Sequence, residues 1–116
     1  MSRHDEIIRL RHMRDFAAEA IGMIQGKDRN ALDDDRVLEL ALVRLMEIIG
    51  EAAGRVTPET RQQLPSIPWS DVVAMRNRLI HGYDNVDHDI LWDTITHDLP
   101  ILLKAVDELL RQFDAE

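Results

Sequence analysis

Cysteine is absent from this 116-residue sequence. That excludes a disulfide framework and a thiolate metal site, and it fits a reducing cytosol. Long apolar runs are also absent, since a membrane span needs roughly 20 such residues. The opening stretch "MSRHDEIIRLRHMRD" is charged and lacks an apolar run, so no signal peptide is expected. Glycine and proline are scarce and fall between periodic stretches. No segment alternates apolar and polar residues as a half-buried strand does, and the expected fold class is all-α. Positive charge is in deficit: 22 acidic against 14 basic residues give a net charge of −8. Such a chain does not hold nucleic acid by bulk electrostatics, because neutralising phosphates takes a basic surface. Any attraction for nucleic acid must be local or supplied by a partner.

What is present suits one domain spanning residues 1–116. A chain of this length buries about two-thirds of its unfolded surface, enough for one core. A first helix is expected from Asp5 to Gln25, with Ile7, Leu10, Phe16, Ala17, Ala20, Ile21 and Ile24 on one face. "QGKDRN" breaks it. A second runs from Asp33 to Arg55. Its stripe of Leu38, Ala41, Leu42, Leu45, Ile48, Ile49 and Ala52 is widened by Val37, Leu40, Val43 and Met46. A helix this apolar is the middle of a bundle, or contacts another subunit, or both. Asp33, Asp34 and Asp35 favour its start through the helix dipole. "RVTPETRQQLP" reads as a short helix with Thr57 at the N-cap and Pro58 in the first helical position. "SIPWSDVVAMRNRLIHG" opens a fourth helix, with Trp69, Val72, Val73, Leu79 and Ile80 facing inward and Gly82 after its end. A last helix runs from Asp89 to Phe113. Pro100 inside it predicts a kink or break near Thr96, where its missing N–H leaves a carbonyl unpaired.

The fourth helix carries the cluster "MRNRLIHGYDN", with two arginines, an asparagine, a histidine and the chain's one tyrosine. With a helix end near Gly82, His81 falls in the last turn, where the dipole favours its protonated form. Its charge changes near physiological pH, which suits proton transfer. Asn77 and Arg78 precede it by one turn on the same face. Arg76 lies about 140° away around a regular helix. It joins His81 only if the helix unwinds or if two chains share the site. A histidine with an arginine suits metal-free RNA cleavage: the histidine takes a proton from a ribose 2′-hydroxyl, and the arginine stabilises charge on the phosphate. Spacing alone favours the plainer reading, a capping histidine with arginines in surface salt bridges.

The run Arg76-Asn77-Arg78-Leu79-Ile80-His81-Gly82-Tyr83 resembles the signature of HEPN-domain proteins, an arginine and a histidine separated by four residues. More narrowly it resembles the HepT toxin family, whose pattern continues histidine–any–tyrosine. The flanks "IGEAA", "PWSDVVAMRN", "DNVDHDILW" and "HDLPILL" stand where that family has similar segments. The likeness covers the chain from the first helix to the end. It implies a HEPN-type bundle of four to five helices that dimerises so that two motifs line one cleft. It implies a metal-independent endoribonuclease, without a cofactor, acting as a toxin on RNA. It also implies a neighbouring nucleotidyltransferase antitoxin of the MntA type, which transfers AMP to the motif tyrosine. Carried over residue by residue, Arg76 and His81 become the catalytic pair and Asn77 their polar helper. Arg78 becomes a possible substrate contact and Tyr83 the AMP acceptor. The added nucleotide would bring bulk and negative charge to the site. The plainer reading is that Tyr83 packs its ring and bonds a neighbour, and both can hold, since ring packing leaves the hydroxyl free.

His81, Asp84, Asp87, His88 and Asp89 match no common zinc or calcium spacing, and a solvated acidic turn is expected. That turn could instead dock a basic patch of the antitoxin. Glu51, on an apolar helix, is expected to be buried and paired with an arginine. Trp69 and Trp92 are expected in the core. Two other functions stay open at this point. The pocket could bind a nucleotide or RNA end without cutting while a partner enzyme does the chemistry, as the acidic charge favours. Or the chain could be a structural helical dimer with a degenerate site.

Overall fold

Helix α1 (Arg3–Met23) starts where Ser2 turns its hydroxyl back to accept from the Asp5 N–H at 3.2 Å. It comes from a computed structural model that describes residues 2–81 and 85–114. Leu10, Met13, Ala17 and Ala20 lie one helical turn apart and are fully buried. They press against α3 (Arg36–Gly54) and α8 (Leu99–Asp114). These three long helices are the body of an all-α bundle. Leu42, Met46 and Ile49 of α3 and Leu102 and Val106 of α8 belong to one apolar cluster, bridged by α1. Each such buried side chain contributes about 1.5–3 kcal/mol over leaving it in water.

The expected run of acid residues at one helix start divides. Asp33 and Asp34 end a short helix α2 (Asn30–Asp34). Asp35 is extended and accepts from the Leu38 N–H at 3.0 Å, so it caps α3 alone. The broad stripe of α3 also divides. Val43 and Met46 turn inward, while Val37 and Leu40 are 76% and 53% exposed. After α3, Thr57 caps α4 (Pro58–Gln62) by accepting from Thr60 N–H at 3.3 Å. Its own N–H and hydroxyl donate to the buried Glu6 of α1, which ties this corner to the first helix.

The expected fourth helix is two short ones, α5 (Trp69–Val73) and α6 (Met75–Leu79), meeting at Ala74. Val72, Met75 and Leu79 are buried, but Val73, expected inward, is 41% exposed. Val72 and Val73 both lie in α5, where successive side chains point about 100° apart, so burying Val72 turns Val73 outward. Trp69 and Trp92 pack against the core and are only half-buried, and the Trp69 indole N–H donates to Leu64 O at 3.1 Å.

The expected last helix comprises α7 (His88–Asp93), a π-helical turn (Thr94–Asp98) and α8. Pro100 cannot donate to the carbonyl one turn back. The chain widens instead, and Leu99 N–H reaches Thr94 O, five residues earlier. Thr96 satisfies the Trp92 carbonyl with its hydroxyl at 2.8 Å. The irregularity falls where proline predicted it, as a wide turn rather than a break. Among the described residues, no helix is long and apolar enough to cross a membrane.

Candidate active site

Gly50 of α3 decides how near the motif helix can come. A Cβ built there would sit 3.0 Å from the Val72 carbonyl oxygen and 3.6 Å from that of Val73. The missing side chain lets the α5–α6 corner rest on α3. That places Arg76, the second residue of α6, beside Glu47, with Nε 3.9 Å from Oε2. Arg44 reaches the same carboxylate oxygen at 3.7 Å. The Arg76 side chain remains 67% exposed, so its guanidinium is available to a ligand. A groove of about 340 Å³ opens beside it, lined by Arg76, Asn77, Glu47 and Glu51 over Gly50, Gly54 and Val73. Glu51 is therefore exposed, not the buried partner of an arginine. It sits on the outward side of the glycine stripe.

Arg78 behaves differently from Arg76. It is half-buried, and its Nη1 is shut away from solvent without a hydrogen-bond acceptor. Its charge acts on Asp98 in the π-helical turn. Burial pushes the Asp98 carboxyl up, and the Arg78 charge opposes that shift.

His81 does not lie in a helix. The helix ends at Leu79, Ile80 is extended, and Ile80 pairs with Val86 in an antiparallel bridge. The His81 N–H donates to Asn85 O and the Asp87 N–H to Leu79 O, both at 2.7 Å. These bonds replace the helical ones, so the dipole argument for His81 falls, as does its sharing of a helix face with Asn77 and Arg78. The imidazole is 55% exposed, with Nε2 3.5 Å from Asp87 Oδ2. Asp87 Oδ1 accepts from Ile90 N–H at 3.0 Å and caps α7. The Ile90 N–H, then His81, holds the Asp87 carboxyl below the usual carboxylate range against the upward push of burial. Gly82, Tyr83 and Asp84 lie outside the described residues, and with them the expected helix-ending glycine and the AMP acceptor.

His88 follows directly, and it is not part of a solvated turn. Its Nδ1 lies 2.6 Å from Asp33 Oδ1, and its Nε2 touches Glu39 Oε2. Glu39 is buried and is also held by Arg36 at 2.5 Å. Arg29 bonds Asp33 at 3.3 Å and Asp89 as well. Burial pulls the His88 pKa down. Hydrogen bonds to Asp33 and Glu39, with their charges, outweigh it and hold the value above the ordinary one. This clamp ties the start of α7 to α2 and α3. Glu39 carried the signal that sequence reasoning missed: it falls among the apolar positions of α3, beside Leu38 and Leu42, where a carboxylate needs a cation.

The sequence model of a family described as Ribonuclease HepT-like matches residues 7–109. A "Putative RNase" of Methanocaldococcus jannaschii is 32% identical over 107 residues, covering 92% of this chain and 98% of the relative. A "Probable ribonuclease HepT" of Thermococcus cleftensis is 35% identical over 96 residues, covering 79% and 87%. A "Putative RNase" of Caldanaerobacter subterraneus subsp. tengcongensis is 42% identical over 78 residues, covering 67% and 70%. No solved structure matches the chain significantly.

Proposed function

We propose a function from one premise: this chain belongs to the ribonuclease HepT-like family. It is an endoribonuclease, and in the cell it is the toxin of a toxin–antitoxin pair. His81 takes the proton from a ribose 2′-hydroxyl as that oxygen attacks the adjacent phosphorus. The bond to the 5′ oxygen breaks, leaving a 2′,3′-cyclic phosphate and a 5′-hydroxyl that takes up a proton. Arg76 neutralises the charge that grows on the non-bridging oxygens, and its two-pronged donor set fits a phosphate better than an ammonium does. Asn77, exposed beside Arg76, offers a further hydrogen bond. Neither step calls on a metal. The observation that carries this reading is that Arg76 and His81 both present their side chains to solvent, 67% and 55% exposed, on one short segment. Arg78, with a buried Nη1, supports that segment instead of meeting the substrate.

A second copy completes the site. The outward Val37 and Leu40 of α3 and Val73 beside the Arg76 groove leave apolar surface for it to cover. Two motifs facing one cleft would also raise the positive charge offered to RNA, which a net charge of −8 otherwise opposes. The antitoxin is a nucleotidyltransferase of the MntA type. It moves AMP from ATP to the Tyr83 hydroxyl and releases pyrophosphate. The added phosphate would repel RNA from the cleft. RNA as target implies work in the cytoplasm.

The test is cleavage of a mixed-sequence RNA in the presence of a metal chelator. Wild type is expected to cut it, and His81→Ala and Arg76→Ala to lose the cut with the fold retained. The acidic net charge favours one rival, a module that binds nucleotide or RNA ends without cutting. Under that rival, wild type leaves the RNA intact yet retains it on a filter.

A further inference from the structure

Of the two nitrogens of His81, only one can serve as the base, and the structure distinguishes them. Nε2 faces Asp87 Oδ2 at 3.5 Å. That is long for a made hydrogen bond and within reach of an ion pair. Such contacts tighten when a substrate is bound. The carboxylate is not free to leave. Its Oδ1 is taken by the Ile90 N–H at 3.0 Å, and its own N–H is taken by Leu79 O at 2.7 Å. The next residue, His88, is gripped between Asp33 and Glu39. On the other side, the His81 backbone is bonded to Asn85 O. Oδ2 is thus held at a fixed place on the ring's Nε2 side. An ionised carboxylate only accepts, so it selects the tautomer with the proton on Nε2.

Resting on the ribonuclease reading above, we infer that Asp87 is a positioning residue for His81, holding its Nε2–H and leaving Nδ1 as the atom that takes the 2′-hydroxyl proton. When Nδ1 has taken that proton, the ring is a cation beside the Asp87 carboxylate. The transition state therefore gains an attraction that the neutral ground state lacks. Asp87 itself never changes protonation.

Asp87→Asn separates this role from capping. Asparagine and serine cap helices about as well as aspartate does, so α7 should start unchanged. In Asp87→Asn, the amide oxygen stays on the Ile90 N–H and the NH₂ turns to Nε2. A donor there calls for a bare Nε2 and moves the ring proton to Nδ1, which removes the base. The measurement is the ring ¹⁵N shifts of His81 at alkaline pH, with its signals assigned by their loss in His81→Ala. Wild type is expected to show Nε2–H, Asp87→Asn to show Nδ1–H, and Asp87→Ser a mixture. With a mixed-sequence RNA oligonucleotide, Asp87→Asn is expected to lose kcat roughly 10- to 100-fold at unchanged KM, part of the 10²–10⁴ that a general base supplies. A wild-type ring already protonated on Nδ1 would overturn the assignment without any variant having to fold. So would equal kcat and unchanged ring signals in both cap-retaining variants. If wild type cuts no RNA, the ribonuclease reading fails, and the ring signals alone decide whether Asp87 sets the tautomer.

Discussion

The carboxylate of Glu39 lies against Nε2 of His88, 49 residues further along the chain. One contact thus joins the first turn of α3 to the first residue of α7, directly after the segment that presents His81.

Its pH dependence has a definite sign. The folded pKa of His88 is raised above 6.5, so its contribution is fully present below pH 6.5 and is lost as pH rises through the higher folded value. Asp33 is lowered from 3.8, chiefly by its hydrogen bond to His88. Its contribution is present above pH 3.8 and is lost as pH falls through the lower folded value. Wild type is therefore expected to melt higher than His88→Ala at mildly acidic pH, with the gap closing as the solution turns alkaline. Thermal melts of the two proteins across that range check it; in a domain of this size about 4 °C corresponds to 1 kcal/mol.

Gly50 and Gly54 share α3 but not their surroundings. At Gly54 an added Cβ would meet Val73 Cγ1 at 3.8 Å, an ordinary contact. Gly54→Ala is expected to stabilise by up to about 1 kcal/mol through helix propensity. At Gly50 the Cβ meets a backbone oxygen at 3.0 Å, and Val72 is itself held by Pro68 O. Gly50→Ala is expected to destabilise by about 1–2 kcal/mol as overpacking outweighs propensity. Denaturant melts of both variants give the comparison, and equal midpoints would refute it.

Arg76→Lys and Arg78→Lys are expected to fail in different ways. Arg76 is exposed and faces the groove, so the lysine keeps the charge and fold but loses the paired donors. A rate loss of about 10- to 1,000-fold, with melting unchanged, is expected for an electrostatic stabiliser of this kind. Arg78 has a buried Nη1, so its replacement should lower the melting temperature first. Rate and melting measured on the same preparations separate the two.

Val37 and Leu40 are exposed in the single chain, so aspartate at both positions leaves the bundle's own core untouched. If a second copy covers them, Val37→Asp/Leu40→Asp sediments as a monomer at concentrations where wild type sediments as a dimer. It also loses RNA cleavage. A wild type that sediments as a monomer would remove the shared cleft.

Much of the architecture was legible in the chain because it is written locally. Apolar spacing marked α1, α3 and α8, and Thr57-Pro58 marked the start of α4. Pro100 marked the irregular turn, since a missing N–H acts within one turn of the residue that lacks it. The motif likewise identified Arg76, Asn77, Arg78, His81 and Tyr83 as a set, and the family likeness followed from them.

Other features could not be read from spacing. Period 3.6 continues through Ala74 and Ile80, yet packing on Gly50 and the pairing of Ile80 with Val86 end the helix earlier. The bury-or-expose decision for a carboxylate also depends on its distant partner. Glu51 was expected inside and stands outside, whereas Glu39 is inside because His88 and Arg36 meet it there. The helical periods, the Thr57 cap and the identity of the motif residues are set by neighbours within a few positions and are legible in the chain alone. That His81 leaves the helix to face Asp87, that Arg78 turns inward while Arg76 does not, and that His88 becomes a clamp emerges from the folded chain. Those outcomes depend on pairings across the chain, whose energies no local pattern contains.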